Sequence, residues 1–573
     1  MSMPAELPTE VDVIVVGTGA AGLTAAVVAR HAGLDVLVLE KEAVFGGTTA
    51  TSGGVLWIPG NRHSAAIQRA TGKTNSIENA RAYLEEETGN YIDRDRVEAY
   101  LATGPEMVDW LEANSHVKFY GMDYPDYHSE SAHASSVRSI GTVDFRARDL
   151  GPRVRQLKNM LPQTLFLGLA VGSGVEMIQF MRAGRSIKAM GFVVKKMLKH
   201  FVDVARYGEA QQVVRGRALV ARLAKTLFDA GTEIRLSSPV SSLIVEAGAV
   251  KGVTLSDGAI RARRGVVLAC GGFPNDPERR ARTFPASVAI PDHRNPTPVG
   301  NTGDGIRMAE AAGGAFNDRV AHVAPWMPIS VIPGKAGSDG VWPHLVDRQK
   351  PGFISVLPNG KRFGDESSAY HDFIPQLVSA SERAGYAEAS CWLIGDARGV
   401  KRWGIGVVRP YPVPHGQHLR SGYLKKAGTL AGLAAATGID AAQLEATVTA
   451  FNVNARQGID PEFGRGQRAY DLYQGEEGHQ PNPCLGPLET GPFYAVKVYA
   501  SEIGTYAGLR TDVDARVLSE TGDPIPGLYA VGNDQTSVFA GAYPGAGSTL
   551  GPAMTFAYRA ARHLIAAGPG AGA

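Results

Sequence analysis

Val11-Asp12-Val13-Ile14-Val15-Val16-Gly17-Thr18-Gly19-Ala20-Ala21-Gly22 is the stretch that decides the fold. Val11 to Val16 reads as a short buried strand of the parallel-sheet kind. A GxGxxG turn follows without a gap and opens a helix. In that reading Gly17 makes the tight turn, Gly19 lets the backbone touch a pyrophosphate, and Gly22 lets the helix pack on the strand. The helix N-terminus, with Ala20 and Ala21, faces the anion with free N–H groups. Alone the motif is weak, because glycine-rich strand-to-helix connections are common.

Here it has company. Val36-Leu37-Val38-Leu39 forms a second strand ending at Glu40, close to the ~20-residue spacing at which an acidic residue hydrogen-bonds ribose hydroxyls. Glu40-Lys41 in this place, rather than a basic residue first, argues against a 2′-phosphate. A second run of small and hydroxylated residues, Phe45 to Gly54, then offers Gly46, Gly47, Thr48, Thr49, Ser52, Gly53 and Gly54 to phosphates and a flavin ring. Far downstream, Gly265 to Gly272 is a strand running into a glycine turn at Gly271 and Gly272. Gly527 to Asn533 repeats that form, ending at Gly532 and Asn533, and Gly547-Ser548-Thr549-Leu550 opens a last helix.

These pieces resemble the FAD domain of the glutathione-reductase-like flavoproteins. The resemblance implies non-covalent FAD, with the last helix start aimed at the flavin pyrimidine edge. It covers both ends of the chain. The expected fold is therefore α/β, with a discontinuous Rossmann-like FAD-binding domain over 1–284 and 488–573. An α+β substrate and catalytic domain, Pro- and aromatic-rich, is expected over 285–487. Ala218 to Ala230 has helical periodicity, and Glu233 to Leu236, Val240 to Glu246 and Val250 to Leu255 read as a strand meander. No second GxGxxG with a following acidic residue appears, so an external electron acceptor is expected in place of a built-in NAD(P)H site.

Composition agrees with a multidomain globular enzyme. The 573 residues exceed what one core needs, and 44% hydrophobic with 20% charged residues is the usual globular balance. A formal charge of +2 gives no reason to expect nucleic acid. Cys270, Cys391 and Cys484 form no CxxC pair, so no metal site is signalled. The chain start has no basic region followed by an apolar stretch, and no apolar run reaches the ~18 to 20 residues of a spanning helix. A cytoplasmic protein is expected, and the Gly568 to Ala573 tail should carry no packed structure.

The Arg153 to Tyr207 segment stands apart. Its apolar stretches, Leu165 to Val171 and Met190 to Val194, are set among ten cations that face only Glu176 and Asp203. A basic amphipathic helix is what a membrane interface selects. A helical lid or subunit contact with a solvated basic face is the equal alternative.

The chain also carries Ala542-Tyr543-Pro544-Gly545-Ala546-Gly547, together with Phe45 to Ala50, Gly216-Arg217-Ala218-Leu219-Val220 and Gly508-Leu509-Arg510-Thr511-Asp512. In these it resembles the 3-ketosteroid Δ1-dehydrogenases along most of its length, the 153–207 region fitting worst. The resemblance implies removal of two hydrogens from neighbouring carbons beside the ring ketone of a 3-ketosteroid, with FAD taking the electrons. The family's Tyr-Pro-Gly-x-Gly motif falls on Tyr543 and Gly547, implying a clamp on the ketone oxygen. Its Arg-Phe-x-x-Glu stretch falls on Arg362 to Glu366, which makes Tyr370 the proton-abstracting residue. Its Pro-Asp-Tyr motif makes Tyr127 the assisting donor. Two departures stand out: Ala369 replaces a frequent proline, and His371 follows, where an exposed histidine is the commoner outcome. Fumarate-reductase-like and Δ4-steroid dehydrogenase chemistry are the enzymatic alternatives, although the His-Pro-Thr motif of the former is missing. A non-catalytic flavin or steroid carrier is the alternative of another class.

Overall fold

The computed structural model describes residues 8–334 and 339–568. Residues 1–7 and 569–573, and with them nearly all of the tail, lie outside that range.

Val11, Val13, Ile14 and Val15 are each no more than 2% exposed. A strand buried on both faces reads as a continuous apolar run rather than an alternation. This strand, Glu10–Val16, pairs in parallel with Val36–Leu39 on one side and Gly258–Leu268 on the other. Across the sheet the order is Arg516–Leu518, Pro524–Ala530, Gly258–Leu268, Glu10–Val16, Val36–Leu39, Ile234–Arg235. Helices Ala20–His31, Arg215–Asp229 and Leu550–Ala566 supply much of the core on one face. Gly17 sits where this packing is tightest. Its φ is +108°, and a Cβ there would lie 2.2 Å from the Ala269 carbonyl oxygen, so only glycine lets the chain leave the strand.

The meander is present as Val240–Glu246 and Ala249–Leu255 laid antiparallel onto Gly258–Leu268. The stretch beginning at Glu233 does not belong to it. Ile234–Arg235 pairs in parallel with Val36–Leu39 at the far edge of the main sheet.

A second, antiparallel sheet runs Gly340–Pro343, Trp326–Ile332, Phe493–Glu502, Ser390–Gly395, Phe353–Val356, with Lys425–Ala427 also on Phe493–Glu502. This corrects the expected return of the chain at 488. Phe493–Glu502 is the central strand of the second sheet, and the first sheet resumes only with Arg516–Leu518. A small sheet of Val55–Trp57, Ser139–Thr142 and Phe119–Gly121 packs Leu56, Trp57, Phe119 and Ile140 into the same core as the helices on the first sheet.

The 153–207 region is not one helix. Phe166 and Leu169 close a short non-helical turn, and helices follow at Val175–Arg182 and Ile187–Tyr207. Ser186 caps the longer one by accepting the Ala189 N–H. Ala189, Val193, Met197 and His200 form its buried stripe, while Ile187 at 94%, Leu198 at 62% and Val202 at 63% exposure leave a second apolar face uncovered. Its ion pairs exceed the two acidic partners visible in the segment itself: Arg182 reaches Glu477 and Arg185 faces Glu476, both distant in sequence.

Candidate active site

One cavity of about 810 Å³ runs from the Gly17 turn to the second sheet, within the range of ligand sites. At the glycine end the backbone itself is the wall. A Cβ on Gly19 would meet nothing nearer than Thr49 Oγ1 at 3.5 Å, and one on Gly47 nothing nearer than the Gly19 Cα at 3.8 Å. The space in front of both is open, and it adjoins the helix N-terminus that favours an anion. Ala20 N–H donates to Thr49 Oγ1 at 2.9 Å, and Gly46 N–H to Thr18 Oγ1 at 2.9 Å. Thr18 in turn donates to Glu40, which also accepts the Glu42 N–H at 3.0 Å. Burial pushes the Glu40 carboxyl up from its usual range. Lys41 is drawn to Asp304 and Thr302, and Asn301 donates to Thr48 Oγ1 at 3.0 Å.

Of the residues expected at a cofactor, Gly17, Gly19, Ala20, Ala21, Glu40, Lys41, Gly47, Thr48, Thr49, Ser52, Gly53, Gly54, Gly271, Gly532, Asn533 and Leu550 line this cavity. Four others stand behind its wall. Gly22 lies where a Cβ would be 2.1 Å from the Gly17 carbonyl oxygen, and Gly46 where one would meet Ala50 and Val220. Gly272 packs on Thr505 and Asn533, and Ser548 Oγ ties both the N–H and the carbonyl of Gly545. These shape the site without facing it. Sequence reasoning passed over Thr18, which links the glycine turn to Glu40, and Asp534, which accepts the Cys270 and Gly272 N–H groups. The only trace of Thr18 in the sequence is its place inside the motif.

At the other end Tyr127, Tyr370 and Tyr543 meet in one buried cluster with Tyr470 and Tyr506. The Tyr127 and Tyr543 rings stack at 5.4 Å with an 18° interplanar angle. The Tyr370 ring meets Tyr127 edge-on at 5.5 Å and Tyr543 edge-on at 5.3 Å. Tyr127 Oη donates to Tyr370 Oη at 3.1 Å.

Local structure explains why they converge. Asp126 accepts from Trp57 Nε1 at 2.8 Å, Arg138 at 2.6 Å and Ser135 N–H at 2.8 Å. The next residue, Tyr127, donates its N–H to the Pro544 carbonyl at 3.0 Å, which Tyr83 Oη also reaches at 2.8 Å. Tyr370 is the first residue of helix Tyr370–Arg383. The run leading into it is anchored by Arg362, paired with Glu366 at 2.6 Å and Asp460 at 2.8 Å.

Gly547 has φ +100°, and its Cβ would lie 2.5 Å from Leu56 C and Trp57 N. Its carbonyl accepts the Trp57 N–H, and among the described residues its own N–H donates to nothing. A phenol and an unpaired amide on adjoining turns of one loop are the donor pair that an anionic oxygen requires.

Burial pushes the Tyr127 and Tyr370 hydroxyls well above the ordinary phenol range. The Tyr543 hydroxyl is also raised by burial, against hydrogen bonds from Tyr370 and Thr549. His371 corrects the expectation of exposure. It is 2% exposed, lies 5.5 Å from the Tyr543 ring, accepts the Trp326 N–H at Nδ1, and is held neutral by burial, which lowers it to about 3. Among the described residues no hydrogen bond joins it to a tyrosine.

The family described as FAD binding domain matches residues 12–550. The chain is 40% identical over 559 residues to the 4-oxocyclohex-2-ene-1-carboxylate 5-dehydrogenase of Sinomonas cyclohexanicum, covering 96% of this chain and 93% of that protein. It is 36% identical over 571 residues to the 3-oxosteroid 1-dehydrogenase of Mycobacterium tuberculosis strain H37Rv, covering 97% and 98%. The crystal structure of 3-ketosteroid delta1-dehydrogenase from Sterolibacterium denitrificans in complex with 1,4-androstadiene-3,17-dione superposes with a TM-score of 0.88 at 35% identity, covering 98% and 100%. The open glycine cradle, Glu40 and the helix N-terminus fit the FAD that this family binds. The chain is thus a member of the FAD-binding-domain flavoproteins and, among them, of the 3-ketosteroid Δ1-dehydrogenase family.

Proposed function

We propose that this protein is an FAD-dependent 3-oxosteroid 1-dehydrogenase, and that Tyr127, Tyr370, Tyr543 and the Gly547 N–H form its catalytic group. The single observation that carries the reading is the convergence of those three phenols beside an unpaired amide. The ketone oxygen is held by Tyr543 Oη and Gly547 N–H. Tyr370 Oη takes the proton from carbon 2, and the electron pair left behind moves onto the oxygen as an enolate, where the two donors stabilise it. Tyr127 supports the phenolate form of Tyr370 by donating to it. As the enolate recloses to the ketone, the hydrogen on carbon 1 departs with its electron pair. Bound FAD supplies the acceptor for that pair, and an external acceptor reoxidises it.

The parallel sheet and its flanking helices are assigned as a discontinuous Rossmann-like FAD-binding domain of the glutathione-reductase type. The antiparallel sheet is assigned as the substrate domain, with Phe493–Glu502 counted in it. The Sinomonas relative acts on a one-ring keto acid by its name, so a small ring ketone is the second reading for the substrate. The reacting unit is the same in both.

Adding a 3-ketosteroid to the oxidised holoenzyme under anaerobic conditions should bleach the flavin, and succinate should not. Bleaching by succinate alone would point to fumarate-reductase chemistry, and a Δ4 product to the Δ4-dehydrogenase alternative. Absence of any bleaching would leave the carrier reading.

We also infer that the uncovered face of helix Ile187–Tyr207 rests on a lipid surface. No helix among the described residues is long and apolar enough to cross a membrane, but Ile187, Leu198, Phe201 and Val202 are exposed and Lys188 and Lys195 on the same helix make no ion pair among the described residues. Apolar side chains with interleaved free cations suit an anionic interface. Cosedimentation with anionic liposomes, lost in the Leu198→Glu/Val202→Glu double variant, supports this. Equal sedimentation of both proteins leaves the lid or subunit-contact reading.

A further inference from the structure

The charged side chains on the cavity wall are almost all engaged. Glu40 accepts from Thr18 and Glu42 N–H, Lys41 pairs with Asp304, Arg409 donates to the Leu165 carbonyl at 2.6 Å, and Asp347 holds His344 at 2.7 Å. Arg215 is the exception. It lines the same cavity. Among the described residues its buried Nε has no hydrogen-bond partner, and no carboxylate comes within ion-pair distance of its guanidinium. Glu176 and Asp144 attract it only from farther off. The nearer of their claims is already met elsewhere, since Glu176 receives Lys196 at 3.1 Å and Gln212 at 3.0 Å. A guanidinium with unused donors beside an apolar wall is costly unless something fills its fork.

Its backbone is unusual as well. Arg215 opens helix Arg215–Asp229 with φ +56°, a left-handed conformation that is an outlier for a bulky side chain and gathers at ligand clamps. It is locked there. A Cβ on Gly54 would lie 2.3 Å from Arg215 C, and Gly216 N–H donates to the Ser52 carbonyl at 3.2 Å. From Gly54 the chain runs through Val55–Trp57 to the atoms that Gly547 touches. Two to three residues of extended chain span about 7–10 Å. The backbone of Arg215 is thereby tied, through one short strand, to the loop that carries the oxygen clamp.

We infer that Arg215 binds a carboxylate carried by the substrate on the side away from its ketone, so that among ring ketones this enzyme favours keto acids. A guanidinium takes a carboxylate through two parallel N–H bonds, and the apolar wall on either side grips the ring. The inference rests on the dehydrogenase reading above and adds the substrate class to it.

The test uses holoenzyme and two matched pairs: 4-oxocyclohexanecarboxylate with its methyl ester, and a 3-oxosteroid carboxylic acid with its methyl ester. Anaerobic flavin reduction gives kcat/KM for each. In at least one pair the acid should exceed the ester by about ten- to a hundredfold, the range of a charge-assisted hydrogen bond. The pair that responds identifies the ring system. Arg215→Gln should bring that ratio close to one, mainly through the KM of the acid, and Arg215→Lys should keep part of it. Rising salt should raise the KM of the acid and spare the ester, which tests the wild type even where a variant fails to fold. Acid-to-ester ratios near one in both pairs, or a ratio that Arg215→Gln leaves in place, would overturn the inference with the dehydrogenase reading intact. Failure of every ring ketone, acid or ester, to bleach the flavin would instead remove the reading beneath it.

Discussion

Tyr127 Oη donates a hydrogen bond to Tyr370 Oη at 3.1 Å, inside a cluster where both rings are nearly sealed from solvent. The direction of that bond matters. Burial raises the Tyr370 hydroxyl well above the ordinary phenol range, and the Tyr127 bond opposes that rise. A base must be deprotonated to act, so the cluster holds a strong base in a scarce form, with one neighbour favouring it.

The first prediction concerns that pair. Flavin reduction by substrate should accelerate with rising pH, by up to about tenfold per unit, because the phenolate fraction of Tyr370 grows in that proportion below its pKa. Tyr370→Phe should slow reduction by about 10²- to 10⁴-fold, the usual contribution of a general base. Tyr127→Phe removes the opposing bond, moves the Tyr370 pKa further up, and should shift the profile to higher pH. Stopped-flow traces of the three proteins between pH 6 and 10 check this. A Tyr127→Phe profile unmoved from wild type would deny the bond its role.

The clamp gives a second prediction. Tyr543→Phe should cost about 10² to 10³ in kcat, the scale of one lost oxyanion donor, with the flavin still bound. Gly547→Ala acts differently, because its Cβ would press on Leu56 and Trp57 backbone at 2.5 Å. It should displace the loop, lower the melting temperature, and remove activity together with the loop's fit. Thermal melts alongside single-turnover rates separate the two effects.

Flavin retention supplies a third. Gly17→Ala places a methyl 2.2 Å from the Ala269 carbonyl oxygen at a φ of +108°, where neither backbone yields easily. The purified variant should carry much less flavin per polypeptide than wild type, read from the ratio of visible to ultraviolet absorbance. Full flavin content in that variant would place the cofactor elsewhere.

How far the sequence alone reached follows from what each position is asked to do. Gly17 and Gly47 were legible because a positive φ favours one residue type that is visible in the string, and Gly19 because it stands in the glycine motif with only bare backbone facing the cavity. Gly22, Gly46, Gly272 and Ser548 belong to the same motifs but brace the wall from behind, a distinction of facing that no spacing encodes. Phe493–Glu502 was recognisable as apolar chain, yet its sheet is fixed by pairing with Trp326–Ile332 and Ser390–Gly395, partners roughly a hundred or more residues distant. His371 looked like a surface residue because its neighbours in sequence say nothing of the Trp326 N–H and the Tyr543 ring brought against it. Arg215 was invisible for a related reason: lacking a partner is a property of the folded surroundings and not of the residue.

The last prediction joins the two catalytic segments to stability. His128, next to Tyr127, points one ring nitrogen at Glu87 and the other at Asp372 at 3.1 Å, two residues beyond Tyr370. Burial by itself lowers its pKa, but the Asp372 and Glu87 carboxylates overcome that and raise it to about 11. The Glu87 carboxyl is itself raised by burial while that of Asp372 is lowered, so Asp372 is the partner that keeps its charge facing the imidazolium. A histidine raised from 6.5 when folded contributes stability that is complete below about pH 6.5 and is lost as pH climbs through about 11, at no more than about 1.4 kcal/mol per unit. His128→Gln should therefore melt below wild type at pH 6, and the gap should close toward pH 11 as wild type loses its imidazolium. A gap that stays constant over that range would mean the side chain acts by shape and not by charge. Because the Tyr370 base gains with pH while this link between its helix and Tyr127 weakens, prolonged turnover should peak at a lower pH than the initial rate does, and in His128→Gln the two optima should draw together.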